Sequence, residues 1–274
     1  MISASIPKTR TVFVSSDESG LTVDHVSYAP DFRQANHMHA WASLTLTLRG
    51  SFEERHGRTR ELAMPLSVVI KRPGVPHADA YGSEGCENLQ IRLPDEMDLR
   101  EILPEEGSLK WHHRGGPAVA AFLSLAKLLT GHPRPRAPEI ELALYDVIGA
   151  IGPPAPSSGL PPRWLMRTKE HLDDCMATPP PTLKQLGLES GVHPVHLTRQ
   201  FQRYFGCSVR EYLKGRRSQL AALHLAMGAH RVTDVAHRLG FFDHPHLCHD
   251  FRRFAEMSPK DFRGLVRRLG STTG

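Results

Sequence analysis

Cysteine is scarce in this 274-residue chain: Cys86, Cys175, Cys207 and Cys248 are widely scattered, and no CxxC pair occurs. Such spacing supports neither a disulfide framework nor a structural zinc site. Long apolar runs are also missing. No stretch of about 18 apolar residues is present, which excludes a membrane-spanning helix. The opening residues, MISASIPKTRTVFVSS, lack the continuous apolar segment of a secretory signal. These absences point to a cytoplasmic protein. No P-loop, GxGxxG or nucleophile motif appears, so the common phosphoryl-transfer, dinucleotide and acyl-transfer chemistries find no support.

What is present is an uneven distribution of charge. The chain carries 34 Lys and Arg against 29 Asp and Glu. Residues 163–274 hold 18 against 10, which leaves 16 against 19 in the first 162 residues. All the excess positive charge therefore sits in the C-terminal part. A basic module joined to a mildly acidic one is the electrostatic profile of a nucleic-acid-binding domain beside a sensing domain.

The length suits two domains of ordinary size. Their boundary is GPPAPSSGLPP at 152–162, whose five prolines prevent a helix or central strand and give a semi-extended linker. This divides the chain into 1–151 and 163–274. In the first part, apolar runs at 11–15, 21–28, 43–48, 66–70 and 88–93 predict strands at hairpin-like spacing, and so an antiparallel barrel or sandwich. Helices at 117–129, apolar around most of its circumference, and 139–151, with Ile140, Ala143, Leu144, Val147 and Ile148 on one face, follow, and could pack on the barrel and also on another subunit. The second part reads as helix throughout: 163–176, 183–190, 194–205, 209–227, 232–239, 245–255 and 259–269. Gly191, Gly206, Gly228 and Gly240 stand at helix ends, where a left-handed residue is wanted. The fold class is an antiparallel β-barrel or sandwich with helices, then an all-α domain with two copies of a helical unit.

The all-α part repeats itself. At an offset of 50, His196, Leu197, Phe201, Arg203 and Ser208 recur as His246, Leu247, Phe251, Arg253 and Ser258, and Tyr204, Arg210, Glu211 and Tyr212 pair with Phe254, Lys260, Asp261 and Phe262. Gly191 matches Gly240 at an offset of 49, so the second copy has one extra residue in its turn. Duplication of one helical unit is the natural explanation. Each copy reads helix, glycine turn, helix. Leu186 and Leu188, or Val235, Ala236 and Leu239, precede the turn; Leu197 and Phe201, or Leu247 and Phe251, follow it. A small residue four places before the glycine (Gly187, Ala236) allows a close helix crossing, as in a helix-turn-helix.

With Leu and Phe of each second helix in the core, the exposed positions are Val195, Thr198, Arg199, Gln202 and Arg203, then His244, Pro245, Cys248, His249, Arg252 and Arg253. Arg199 points outward in mid-helix, where its fork suits guanine O6 and N7. Arg203, Arg252 and Arg253 lie further on and suit phosphates. A helix over 209–227 is about 28 Å long, enough to hold two reading helices about one DNA turn apart.

These residues resemble the AraC/XylS family of bacterial regulators over roughly 163–269. GFFDHPHLCHDFRRFAEMSPKDFR follows the family frame of GF, D two residues on, F, a basic pair and the closing SP-x-x-(F/Y)-R, and LGLESGVHPVHLTRQFQRYFGCSVREYL matches almost as well. The resemblance implies a sequence-specific transcription regulator on double-stranded DNA, nucleoid-associated, more often an activator, with RNA polymerase as partner and a homodimer as one assembly. Pro245 stands where the family has Ser or Thr, and His249 where it has Arg, so specificity would rest on the first unit and Arg199.

His37-Met38-His39 and the later Arg72-Pro73-Gly74-Val75-Pro76-His77 resemble the two cupin motifs. Alternate strand residues share a face, so His37 and His39 enter the barrel together and His77 can meet them. Three imidazoles suit a divalent transition metal. The usual Glu of the first cupin motif is absent, leaving Ala-Trp-Ala-Ser-Leu after His39. The same histidines, with Trp41, equally fit a small-molecule effector pocket. Strict alternation from His37 places Thr45 and Thr47 inside and Leu44, Leu46 and Leu48 outside, which demands either a bulge near Trp41 or a covered outer face. A second cluster, His244, His246, Cys248 and His249, is explained by the duplication, since His246 points away from the His244 and Cys248 face. The alternative to an effector-controlled regulator is a metal-dependent cupin enzyme fused to a DNA-binding domain, and the missing Glu weighs against it. An alkyl-transfer repair regulator needs a reactive Cys cluster near the N-terminus; no Cys precedes Cys86.

Overall fold

The computed structural model describes residues 8–15, 21–94, 109–113, 115–151, 161–174, 181–228 and 230–271. The proline-rich stretch 152–160 and residues 175 and 176 of the expected helix lie outside these. Among the described residues eight strands form one antiparallel sheet: β1 (Lys8–Ser15), β2 (Thr22–Tyr28), β3 (Arg33–His37), β4 (Ala42–His56), β5 (Thr59–Ala63), β6 (Val68–Lys71), β7 (His77–Leu93) and β8 (Leu109–His112). Their order is β1-β2-β7-β4-β6-β8, with β3 added to β7 and β5 to β4.

The long strands β4 and β7 pair along their lengths, with register shifts between Thr47 and Arg49 and between Gly50 and Phe52. Such bulges bend a strand. Gly50 sits at φ +70°, and a Cβ there would lie 1.9 Å from the Gly85 carbonyl oxygen, so the corner admits only glycine. Before the bend β4 pairs with β6, and after it with β5. The two halves of the sheet then face each other: Lys71 of β6 meets Glu54 of β4 at 2.6 Å, and the Trp111 ring of β8 lies 6.0 Å from Phe52.

This answers the question of alternation. Leu44, Leu46 and Leu48 do point away from the lumen, and that outer face is covered. They share one buried cluster with Val119, Phe122, Leu123, Leu144 and Val147 of α1 (Pro117–Leu129) and α2 (Ala137–Ala150). Ser43, Thr45, Thr47, Asp24 and Asn88, on the opposite face, are buried as well. The barrel is thus polar within and leucine-rich without. The five expected strands are found, with β4 and β7 much longer than the apolar runs; β3, β5 and β8 escaped because they are short and carry charged or polar residues.

The remaining helices are α3 (Arg163–Asp174), α4 (Leu183–Ser190), α5 (Pro194–Phe205), α6 (Val209–Met227), α7 (Val232–Arg238), α8 (His244–Ala255) and α9 (Pro259–Ser271). Two compact units divide the chain, one of 155–218 and one of 1–154 with 219–274. In the smaller unit, Leu165, Leu172, Leu186, Leu197, Phe201 and Tyr212 form the core. Asp173 organises its polar side: the fully buried Arg216 approaches at 2.9 Å, Lys169 at 3.4 Å, and the Tyr212 hydroxyl donates to it at 2.6 Å. Burial is the largest cause of the raised Tyr212 pKa.

In the larger unit, Leu247, Phe251, Phe262, Leu265 and Leu269 of α8 and α9 join the cluster that covers the sheet. Two polar contacts, one from α6 and one to α8, accompany this packing. Gln219 of α6 donates to Ser67 at 2.8 Å, and the Gly116 N–H donates to the Phe254 carbonyl at 3.0 Å. Gly115, at φ +68°, packs so closely that a Cβ would come 2.0 Å from that same carbonyl. Elsewhere the repeat is imperfect. Gly206 ends α5 in the left-handed conformation, but its counterpart ending α8 is Glu256 at φ 52°. Glu256→Gly is expected to raise stability by about 0.5–1 kcal/mol, the left-handed penalty less glycine's entropy; thermal unfolding of the full chain reads it.

Candidate functional site

Both helix pairs are built alike. In the first, the Val192 N–H donates to the Gly187 carbonyl at 2.9 Å; in the second, Phe241 does the same to Ala236 at 3.0 Å. A Cβ on Gly187 would lie 2.8 Å from the Val192 oxygen, which is why the crossing needs a small residue. The caps also correspond. His193 Nδ1 accepts from the Val195 N–H at 3.3 Å, and Asp243 accepts from the His246 N–H at 2.7 Å. Matching cap to cap makes Phe242 the extra residue of the second turn, and it is 92% exposed.

Leu197 and Phe201 of α5, and Leu247 and Phe251 of α8, are fully buried. Val195, Arg199, Gln202 and Arg203 are exposed, as are His244, Pro245, His249, Arg252 and Arg253. Thr198 and Cys248 are only half-exposed, a correction that applies to both members of one repeat pair. The Thr198 hydroxyl is turned back onto the Pro194 carbonyl at 2.9 Å, and Cys248 Sγ lies 3.5 Å from His244 Nε2. Leu188 stands two residues from the buried Leu186, where one helix face cannot hold both, and it is 84% exposed. His246 takes no part in the His244 and Cys248 pair: its ring accepts from the Phe242 N–H at 3.3 Å and lies 3.4 Å from Asp250.

In the barrel, β3 and β7 pair His37 with His77, and the potential ligand atoms of His37, His39 and His77 lie within 4.8 Å of one another. Two carbonyls set the tautomers. His37 Nδ1 donates to Ala35 and His77 Nδ1 to Val75, both at 2.9 Å, which leaves each Nε2 as a lone pair. Both Nε2 atoms are buried and without a hydrogen-bond partner among the described residues, as is the Trp41 indole N–H. Trp41 stacks on His39 at 5.3 Å, and the Arg92 guanidinium lies 4.4 Å from the centre of its ring. His77 is held neutral, its pKa lowered to about 4 by burial first and then by Lys71.

The sequence reading missed the charged residues beside this triad. Glu54 and Asp79 are cross-strand neighbours, both buried, and Lys71 closes on Glu54. Burial pushes the Glu54 carboxyl up to about 7 against the opposing pull of Lys71. Arg92 and Arg10 both bind the buried Asp24, at 3.2 and 2.9 Å. Their alternation looks like that of solvent-facing residues, and only the fold-back of β4 and β7 turns that face inward.

A helix-turn-helix domain family matches residues 187–264. No curated protein matches the chain. Among solved structures, the chain is similar to an apo form of a ToxT variant from Vibrio cholerae, at 12% identity over 90% of this chain and 97% of that one, with a TM-score of 0.38. It is also similar to the C-terminal domain of AraT, a response regulator from Geobacillus stearothermophilus (21% identity, 39% and 88% covered, TM-score 0.35). A cupin superfamily protein from Desulfitobacterium hafniense shares 22% identity over 32% of this chain and 78% of its own, with a TM-score of 0.29. The matched domain spans both turns and both reading helices, from Gly187 at the first crossing to Gly264 in α9. Residues 187–264 are therefore a helix-turn-helix domain of the DNA-binding kind that the resemblance to the AraC/XylS family implied.

Proposed function

We propose that this protein is a transcription regulator, an activator, that reads DNA chiefly through α5 and is controlled by a small polar effector held in the barrel. The observation that carries the DNA reading is the duplicated helix pair, whose core residues are buried while Arg199 stands exposed in mid-helix. A footprint on DNA flanking its own gene tests it. Protection of two successive major grooves is expected, and Arg199→Ala should weaken specific binding by about 1–3 kcal/mol and relax discrimination at one guanine. Sequence-indifferent, purely salt-sensitive binding that the substitution leaves unchanged would overturn it. RNA polymerase is the partner for activation. A second copy of the chain could cover α2, where Leu142 and Tyr145 are exposed one turn apart; a monomer by sedimentation with and without DNA would remove that part.

The polar lumen supports effector control. Buried donors and acceptors without partners, at Trp41, His37 and His77, suit a ligand that supplies hydrogen bonds or a metal. The three histidines fit a divalent transition metal: both Nε2 lone pairs are preset by backbone carbonyls, and Glu54 offsets the nearby charge of Lys71. Such an ion would anchor an effector oxygen or nitrogen. Loading with Co²⁺ is expected to give a ligand-field spectrum that His77→Ala abolishes; identical binding in both proteins would discard the metal.

A route to the DNA-binding half lies close by. Trp111 faces the lumen from β8, and His113, two residues on, contacts the same Ser67 hydroxyl that Gln219 of α6 reaches. Gly115 and Gly116 then touch the last turn of α8. An effector that moves β8 would shift α6 and α8 together, provided that it binds the two arrangements with different affinity.

A further inference from the structure

The smaller unit carries a charged concavity that none of the reading positions uses. Arg163, Trp164, Arg167 and His171 of α3 line it with Leu186 and Glu189 of α4. Arg163 and Arg167 are one helical turn apart, both exposed, and neither has an ion-pair partner among the described residues. The acid in the concavity is already engaged, since Glu189 lies 3.5 Å from His171. The cleft is therefore cationic at the rim where the arginines stand.

Its place in the fold connects it to DNA reading. The Trp164 ring packs 5.8 Å from His196, on the first turn of α5. At about 100° per residue, His196 lies on the flank of α5 shared with Arg203, roughly 60° from the outward direction of Arg199. The Trp164 and His196 contact thus sets the start of α3 alongside the reading helix, on the side where one phosphate backbone of a gripped groove would pass. Arginine is the side chain best suited to that contact, and phosphate contacts fix orientation without carrying sequence.

We infer that Arg163 and Arg167 of α3 form a phosphate clamp that seats α5 in the major groove. The inference rests on the DNA reading above. It assigns the non-sequence-specific part of that grip to a helix outside the helix-turn-helix pair, with Trp164 holding α3 against α5.

The test measures the affinity of the full-length protein for its footprinted site, and for a scrambled duplex, over a series of salt concentrations. Each phosphate contact contributes about 0.9 to the slope of log K against log salt. Arg163→Ala and Arg167→Ala are each expected to flatten the slope by about that amount and to weaken both duplexes alike, so the specificity ratio stays constant. Arg163→Lys should retain most of the slope, whereas a merely structural role would not follow charge. Unchanged slopes in folded variants would overturn the clamp, as would a slope unchanged alongside a loss of transcription in vitro, which would mark the cleft as a polymerase-facing surface. Arg199→Ala separates the two readings: it should alter the ratio and leave the slope nearly intact. If the native protein shows no ratio to alter, the DNA reading itself has failed rather than the clamp.

Discussion

Asp173→Ala is expected to cost the smaller unit about 3–5 kcal/mol, enough to melt most domains of its size. The carboxylate receives Arg216, Lys169 and the Tyr212 hydroxyl, and Arg216 is only 1% exposed. Removing it takes away the carboxylate that both buried cations share. The pair need not be strongly stabilising for this to hold, because the penalty is that of the charge left behind. Thermal unfolding of the full chain should show an early transition, accompanied by loss of protection over the half-site that α5 is proposed to read. Asp173→Asn keeps the shape and one acceptor for Tyr212, so an equal loss in both variants would point to charge, and a loss in alanine alone to hydrogen bonding. An unchanged melting curve for the alanine variant would mean that Arg216 finds solvent.

Gly115→Ala is the second large effect. The added carbon would stand 2.0 Å from the Phe254 carbonyl oxygen, a backbone atom that has no rotamer into which to escape, and φ +68° is itself unfavourable for alanine. Either α8 moves away from the start of α1 or the connection after β8 is remade. Hydrogen exchange at the amides of α8 and of residues 115–120 should rise well above that of β4 and β7. A protein whose exchange matches the native pattern throughout would show that this contact does not hold α8. If the route from the lumen runs through this contact, the variant should also bind DNA with an affinity that no longer depends on effector.

The helical half was legible almost to the residue, because glycine ends, proline starts and a duplicated apolar spacing all report on local structure. Helices at 183–190, 194–205 and 209–227 were expected and found at those bounds. The histidine triad was also legible from its motifs, but not its footing: β3 ends at His37, so His39 reaches the other two from beyond the strand and not by alternation along it. The charged lumen was not. Glu54 and Lys71 belong to strands whose pairing partners are set by two bulges, and no local pattern announces that a glutamate at that position will be sealed from water. Nor could spacing show that Leu188 faces outward, because neighbouring leucines in a short helix look alike until the packing partner is known.

The outer face of the barrel and the helices α1, α2, α8 and α9 share a single buried cluster. Structures with one continuous core tend to unfold in one step. A molecule bound in the lumen therefore adds its free energy to helices that it never touches. At a hundred times its dissociation constant an effector would contribute about 2.7 kcal/mol to the whole of that unit, moving its melting point by several degrees. Collections of candidate small polar compounds could thus be screened by melting temperature alone, without knowledge of the operator or of the genes it controls.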